Sequence, residues 1–149
     1  MSSFSLDITA FCNKAKERSD AVVRETVIGL GKRLVELSPV GDPTLWKSKP
    51  PPGYVGGRFR ANWQYGNLAG TGIPMTRSNS IDPSGAESMG RIIEGVLGSI
   101  ARTRHYLVNN LPYAKRLEDG WSGQAPAGMV GLTIIEFKQI VRSAVAEGK

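Results

Sequence analysis

A chain of 149 residues that is 40% hydrophobic and 21% charged has the length and balance of one folded domain, and a domain of this size buries roughly two thirds of the surface its unfolded chain exposes. Its single cysteine, Cys12, excludes an intrachain disulfide, and its single histidine, His105, leaves any metal site dependent on carboxylates; there is no HExxH, CxxC or closely spaced Asp pair. The net charge of +6 is uneven, because residues 41–80 carry Lys47, Lys49, Arg58, Arg60 and Arg77 against Asp42 alone, a local +4 that suits nucleic acid, a position near DNA, or an acidic protein surface.

The opening stretch MSSFSLDITAF has no basic n-region followed by an apolar segment, and no apolar run approaches the roughly 18 residues of a membrane span. The chain is therefore expected to be made in a reducing cytoplasm and to have no membrane partner. From about residue 5 to residue 37, Ile8, Phe11, Cys12, Ala15, Val22, Val23, Thr26, Val27, Leu30, Leu34 and Leu37 recur at steps of three and four, which predicts one long amphipathic helix. On this pattern Cys12 is a small buried hydrophobe beside Ile8, Phe11 and Ala15. Gly29 and Gly31 weaken the helix by about 1 kcal/mol each relative to alanine and allow close packing or a slight bend. Pro39 ends the helix, since it disfavours helical geometry at Ser38.

Residues 39–57 hold nine Pro or Gly among nineteen, including Pro50-Pro51-Pro52, so they predict an extended arm able to reach a neighbouring subunit. Phe59, Ala61, Trp63 and Tyr65 alternate with Arg58, Arg60, Asn62 and Gln64, the period of a half-buried strand. Residues 66–85 are a second long loop with a mobile tip. Ser84, followed three positions later by Glu87, has the capping-box spacing and announces a helix with the stripe Met89, Ile92, Ile93, Val96, Leu97 and Ile100. Residues 103–109 suit a short strand, and PYAKRLEDG a short helix opened by Pro112 and closed by Gly120. A last helix, from about residue 129 to 146, is expected to bury Val130, Ile134, Phe137, Ile140, Val141 and Val145. The whole predicts a single α+β domain over residues 1–149, a small, mostly antiparallel sheet of three or four strands packed by the long N-terminal helix and the C-terminal helix, with long Pro/Gly-rich loops.

Chemistry-bearing groupings are sparse. Gly29-Leu30-Gly31-Lys32 falls inside a helix instead of between a strand and a helix, so it is no phosphate cradle, and Glu118-Asp119 reads as a solvated acid pair. His105 lacks a nucleophile elbow or another signature that would join it to a serine and an acid. Arg58 and Arg60 interleaved with Trp63 and Tyr65 resemble a single-strand stacking platform, but opposite parity sends the aromatics to the core and the arginines to solvent or an interface. Arg102 and Arg104 share parity on the second strand and extend that basic sheet face.

Three stretches carry a family likeness: GGRFRANWQYG at 56–66, Asp82-Pro83-Ser84-Gly85, and NNLPYAKRLEDGWSGQAPAGMV at 109–130. Placed after a long N-terminal helix, they resemble the neck and tail-completion family of lambdoid long-tailed bacteriophages, a similarity that runs over nearly the whole chain; a departure is Asp119, where a neutral residue is more usual. The resemblance implies a structural virion protein of the head–tail junction, with no enzymatic activity and no cofactor. Such a protein assembles with copies of itself into a ring, of six subunits or alternatively twelve. It meets the tail terminator or tail tube and the head connector, and its lumen touches genome DNA without sequence preference. On this resemblance Trp46, Tyr54, Tyr113, Leu117, Trp121, Pro126 and Met129 are candidates for the subunit or partner interface, and Arg58, Arg60, Arg102 and Arg104 for a basic face on the DNA channel. The alternatives are a basic nucleic-acid-binding module and, on the presence of Ser, His and Asp alone, a small accessory hydrolase.

Overall fold

A computed structural model describes residues 3–148 of the chain. In order it contains α1 (Ser3–Leu37), a 3-10 turn (Pro43–Leu45), α2 (Arg58–Ala61), β1 (Trp63–Asn67), α3 (Ala86–Leu97), β2 (His105–Asn109), α4 (Ala114–Glu118) and α5 (Val130–Glu147). The class is α+β, with long N-terminal and C-terminal helices around a small antiparallel sheet.

The C-terminal half of α1 is the spine. Val27, Leu34 and Val35 are buried there with Phe59, Trp63, Ile92, Val96, Leu111, Ala125 and Met129 in one apolar cluster. Both α1 glycines are packing devices. A Cβ on Gly31 would lie 2.9 Å from Ile92 Cγ2 of α3, and one on Gly29 would lie 2.7 Å from Ile140 Cγ2 of α5. Two helices therefore approach α1 more closely than any side chain would permit, which offsets the lower helix propensity of glycine. Helix α5 runs antiparallel to α1, and Arg33 grips Glu136 with two nitrogens, Nε to Oε2 at 2.5 Å and Nη2 to Oε1 at 2.8 Å. At the end of α1 the buried Ser38 hydroxyl donates to the Leu34 carbonyl (2.6 Å) and accepts from Trp63 Nε1 (2.7 Å), which fixes the helix end to β1.

Among the described residues the sheet has two strands, not the three or four expected, paired from Trp63↔Asn109 to Asn67↔His105. The loops satisfy their polar groups through side chains instead of a further ladder. Gln64 Nε2 donates to the Thr76 carbonyl (2.8 Å) and its Oε1 accepts from the Thr76 hydroxyl (2.6 Å), Asn110 Nδ2 donates to the Pro74 carbonyl (2.8 Å), and Asn62 both accepts from Ser78 N (2.8 Å) and donates to the Ser78 carbonyl (3.0 Å).

The strand expected at 58–65 also starts late, because residues 58–61 form the short helix α2. Phe59 and Trp63 are four apart, so their alternation fits a helical step equally well, and their rings meet edge to face at 6.1 Å. The N-terminal half of α1 differs from expectation as well. Every residue from 5 to 19 is exposed, including Cys12, because the helix runs past the end of α5.

Residues 39–57 fold as a closed loop. Gly57 N donates to the Val40 carbonyl at 2.6 Å, so the two ends meet, and Trp46 and Tyr54 pack with ring centroids 4.6 Å apart. Helix α3 is capped by Asp82 and not by a Ser84–Glu87 box. Its carboxylate accepts from Gly85 N (2.9 Å) and Ser88 N (2.8 Å), and the Ser84 and Ser88 hydroxyls lie within 3.1 and 2.9 Å.

Candidate functional site

The 109–130 block folds as one unit. Asn109 Nδ2 donates to the Phe59 carbonyl (2.9 Å), Leu111 enters the core, and α4 closes at Gly120, whose φ is +82°; Trp121 N reaches back to the Arg116 carbonyl. The turn beyond is tied to the 39–57 loop by Gln124 Oε1, which accepts from Val40 N (3.0 Å) and Gly41 N (3.1 Å). Glu118, read from sequence as a solvated acid, is the N-terminal cap of α5: its carboxylate takes the Met129, Val130 and Gly131 N–H groups at 2.8–2.9 Å. Burial pushes this carboxyl up, but the three backbone donors outweigh burial and hold it below the usual glutamate range. A cap eleven residues from its helix leaves no local spacing to find, which is why sequence reading missed it.

The interface candidates divide. Met129 is 1% exposed and belongs to the core of the chain itself, so it presents nothing to a partner. Tyr113 and Leu117 are half-buried against that core, Tyr113 with its ring 6.1 Å from Phe59. Burial raises the Tyr113 phenol despite the opposing charge of Arg58. Pro126 and Trp46 lie at the surface, and Tyr54 is half-buried beneath Trp46. Trp121 is 75% exposed, with the Arg116 guanidinium 5.6 Å from its ring centroid, so a large aromatic face stands in solvent on a turn fixed at both ends. Trp121→Ala is expected to change stability by less than about 1 kcal/mol while weakening any association that uses this face, measured by thermal unfolding beside sedimentation.

No continuous basic sheet face forms from the four arginines. Arg58 and Arg60 sit on α2, and Arg102 and Arg104 precede β2. Arg60 is spent within the fold itself, donating to the carbonyls of Ser38 (2.9 Å), Pro83 (2.7 Å) and Glu36 (3.2 Å). Arg102 Nε pairs with Asp20 at 2.7 Å, and Arg58 Nε donates to the Ser78 carbonyl at 3.3 Å. Arg104 is exposed.

His105 is half-buried, with Nε2 2.9 Å from the Ala101 carbonyl and Nδ1 2.7 Å from the Tyr65 hydroxyl, which lies 2.8 Å from Ser99 Oγ. This chain of contacts closes the 98–104 turn onto β1 and borders an open groove of about 490 Å3 lined by Tyr65, Asn67, Arg91 and Ser99. Among the described residues, no group of three His, Cys, Asp or Glu is placed to hold a metal, and no helix is long and apolar enough to cross a membrane.

The surface not anticipated is apolar. On α5 the side chains expected in the core are largely outside: Val130, Ile134, Phe137 and Val145 are exposed and Ile140 and Val141 half-buried, whereas Thr133 and Ala144 are buried. Leu6, Ile8 and Phe11 are exposed on α1. Their 3.6-residue periodicity identified an apolar face but not what covers it. Comparison with protein-family models, with curated proteins and with solved structures found no match.

Proposed function

We propose that this chain is a structural subunit of the head–tail junction of a long-tailed bacteriophage, assembling as a ring that joins the tail to the head connector around the path of the DNA. The observation that carries the reading is the amount of ordered apolar surface left open on one small subunit: Trp121 on its braced turn, the exposed side of α5, and the free half of α1. Apolar patches beyond a few hundred Å2 are rare on proteins that act alone and mark surfaces that associate. The residues of the three family-like stretches supply much of the framework: Phe59 and Trp63 in the core, Asp82 capping α3, and the 109–130 block bracing Trp121 and the start of α5. The subunit then acts by association, with aromatic and aliphatic anchors providing binding energy and no substrate transformed.

The test is a phage lacking this chain. Lysates are expected to contain filled heads and finished tails that fail to join, with joining restored when the protein is supplied. Normal particles from the deletion would end the reading. Tight DNA binding by a monomer, falling steeply as salt rises, would favour the basic nucleic-acid module in its place.

A further inference from the structure

The face of α1 that α5 covers does not stop where α5 does. Inside the subunit α5 lies along α1 from Arg33, which holds Glu136, through Gly29, against Ile140, to Val22, whose Cγ2 is 3.4 Å from a Cβ built on Gly148. Beyond that point α5 has ended, yet the same face of α1 continues at helical spacing as Ala15, Cys12, Phe11 and Ile8, and Phe11 is 74% exposed. A second apolar stripe is also largely uncovered: Val130, Ile134, Phe137, Val141 and Val145 recur at steps of four, three, four and four along one side of α5, with Val141 half-buried and Ile134 67% exposed. The free stretch 5–19 and the stripe 130–145 are about 21 and about 23 Å long at the α-helical rise.

We propose that the free half of α1 from one copy of this chain seats on the α5 stripe of a second copy, extending between subunits the helix-on-helix packing that α1 and α5 already make within one. The two patches are different, so the contact is head-to-tail: each subunit gives one helix and receives another, and repetition closes a ring or extends a chain. This deepens the ring reading above and rests on it. It names the side chains that join neighbours, with Phe11 and Ile8 as knobs over the row Ile134, Phe137 and Val141.

The test uses the purified full-length chain and two substitutions at exposed positions, Phe11→Asp and Ile134→Asp, with circular dichroism and thermal unfolding expected to match the unsubstituted protein. Sedimentation is expected to show concentration-dependent assembly of the unsubstituted chain and at least a tenfold weakening in each variant. An equimolar mixture should form a dimer and nothing larger, because the first variant keeps the α5 seat and the second keeps the α1 helix. Ile134→Cys, oxidised in the presence of native Cys12, should give a ladder of cross-linked species. An Ile134→Asp variant that assembles normally, or cross-linking that stops at a dimer through Cys12 alone, would show α1 pairing with itself and overturn the proposal. So would a chain that stays monomeric at every attainable concentration. Assembly that survives both substitutions removes this seam and leaves the ring reading standing; a seam that forms in a chain missing from the neck of the particle removes the phage reading and leaves the seam.

Discussion

Gly57→Ala is expected to lower stability by about 4 kcal/mol, the sum of left-handed backbone strain near 1–2 kcal/mol and overpacking near 1–3 kcal/mol. The residue stands where three segments cross. Its N–H donates to the Val40 carbonyl, and its own carbonyl accepts from both Ala61 N (3.0 Å) and Asp82 N (3.2 Å), so the 39–57 loop, α2 and the Asp82 turn meet at one residue. Its φ is +107°, and an added Cβ would lie 2.5 Å from Pro83 N, 2.7 Å from the Asp82 carbonyl carbon and 2.8 Å from Pro83 Cα. All three are backbone atoms that cannot swing aside. Urea unfolding of the variant should show the loss directly, with the melting temperature lower by roughly 10 °C at this chain length. Gly53→Ala is the control: φ is +72° but nothing lies within 4 Å, so only the backbone strain remains, about 1 kcal/mol. Equal losses in the two variants would show that crowding at Gly57 is not the cause.

What could be read from sequence follows the range of the physics involved. Local signals worked: the span of α1 and its stop before Pro39, the short helix closed by Gly120, and the existence of α3, β2 and α5 all come from periodicity or from one residue's backbone limits. Signals that depend on a distant partner did not. Residues 58–61 carry an alternation that holds a four-residue step within it, and the edge-to-face packing of Phe59 on Trp63 selects the helix. Asp82 displaced the expected Ser84 cap because its carboxylate reaches Ser88 six residues on, and Glu118 caps α5 from eleven residues away. The apolar positions of the 129–146 segment show the same limit. An apolar pattern marks Met129 and Ile134 alike, yet one fills the core and the other faces solvent, because the turn that delivers α5 to α1 sets the rotation of the helix and no single-sequence period records it.

Asp82→Ala should cost about 3 kcal/mol, more than an ordinary surface cap, because charge-assisted bonds contribute about 1.5–3 kcal/mol and removing the carboxylate leaves buried donors at the start of α3 without acceptors. Asp82 is buried with Ser88, and Ser88 lies between that carboxylate and the Arg60 carbonyl, so the cap also anchors α2 to α3. Burial pushes the Asp82 carboxyl up, but hydrogen bonds from the Ser88 N–H, the Ser88 and Ser84 hydroxyls and the Gly85 N–H outweigh it, and the net shift is downward from 3.8. A carboxyl whose folded pKa lies below its unfolded value stabilises the fold fully above the unfolded pKa and loses that contribution as pH falls through the folded one. Glu118 shifts in the same direction from 4.5 and adds to the same window. Stability measured by urea unfolding should therefore be flat from neutrality to about pH 5 and fall steeply below about pH 4. In Asp82→Asn, which keeps one acceptor oxygen but no charge, the neutral-pH stability should drop and the acid decline should become shallower. An acid decline as steep as that of the unsubstituted chain would assign the pH dependence to other carboxylates and reduce Asp82 to a neutral cap.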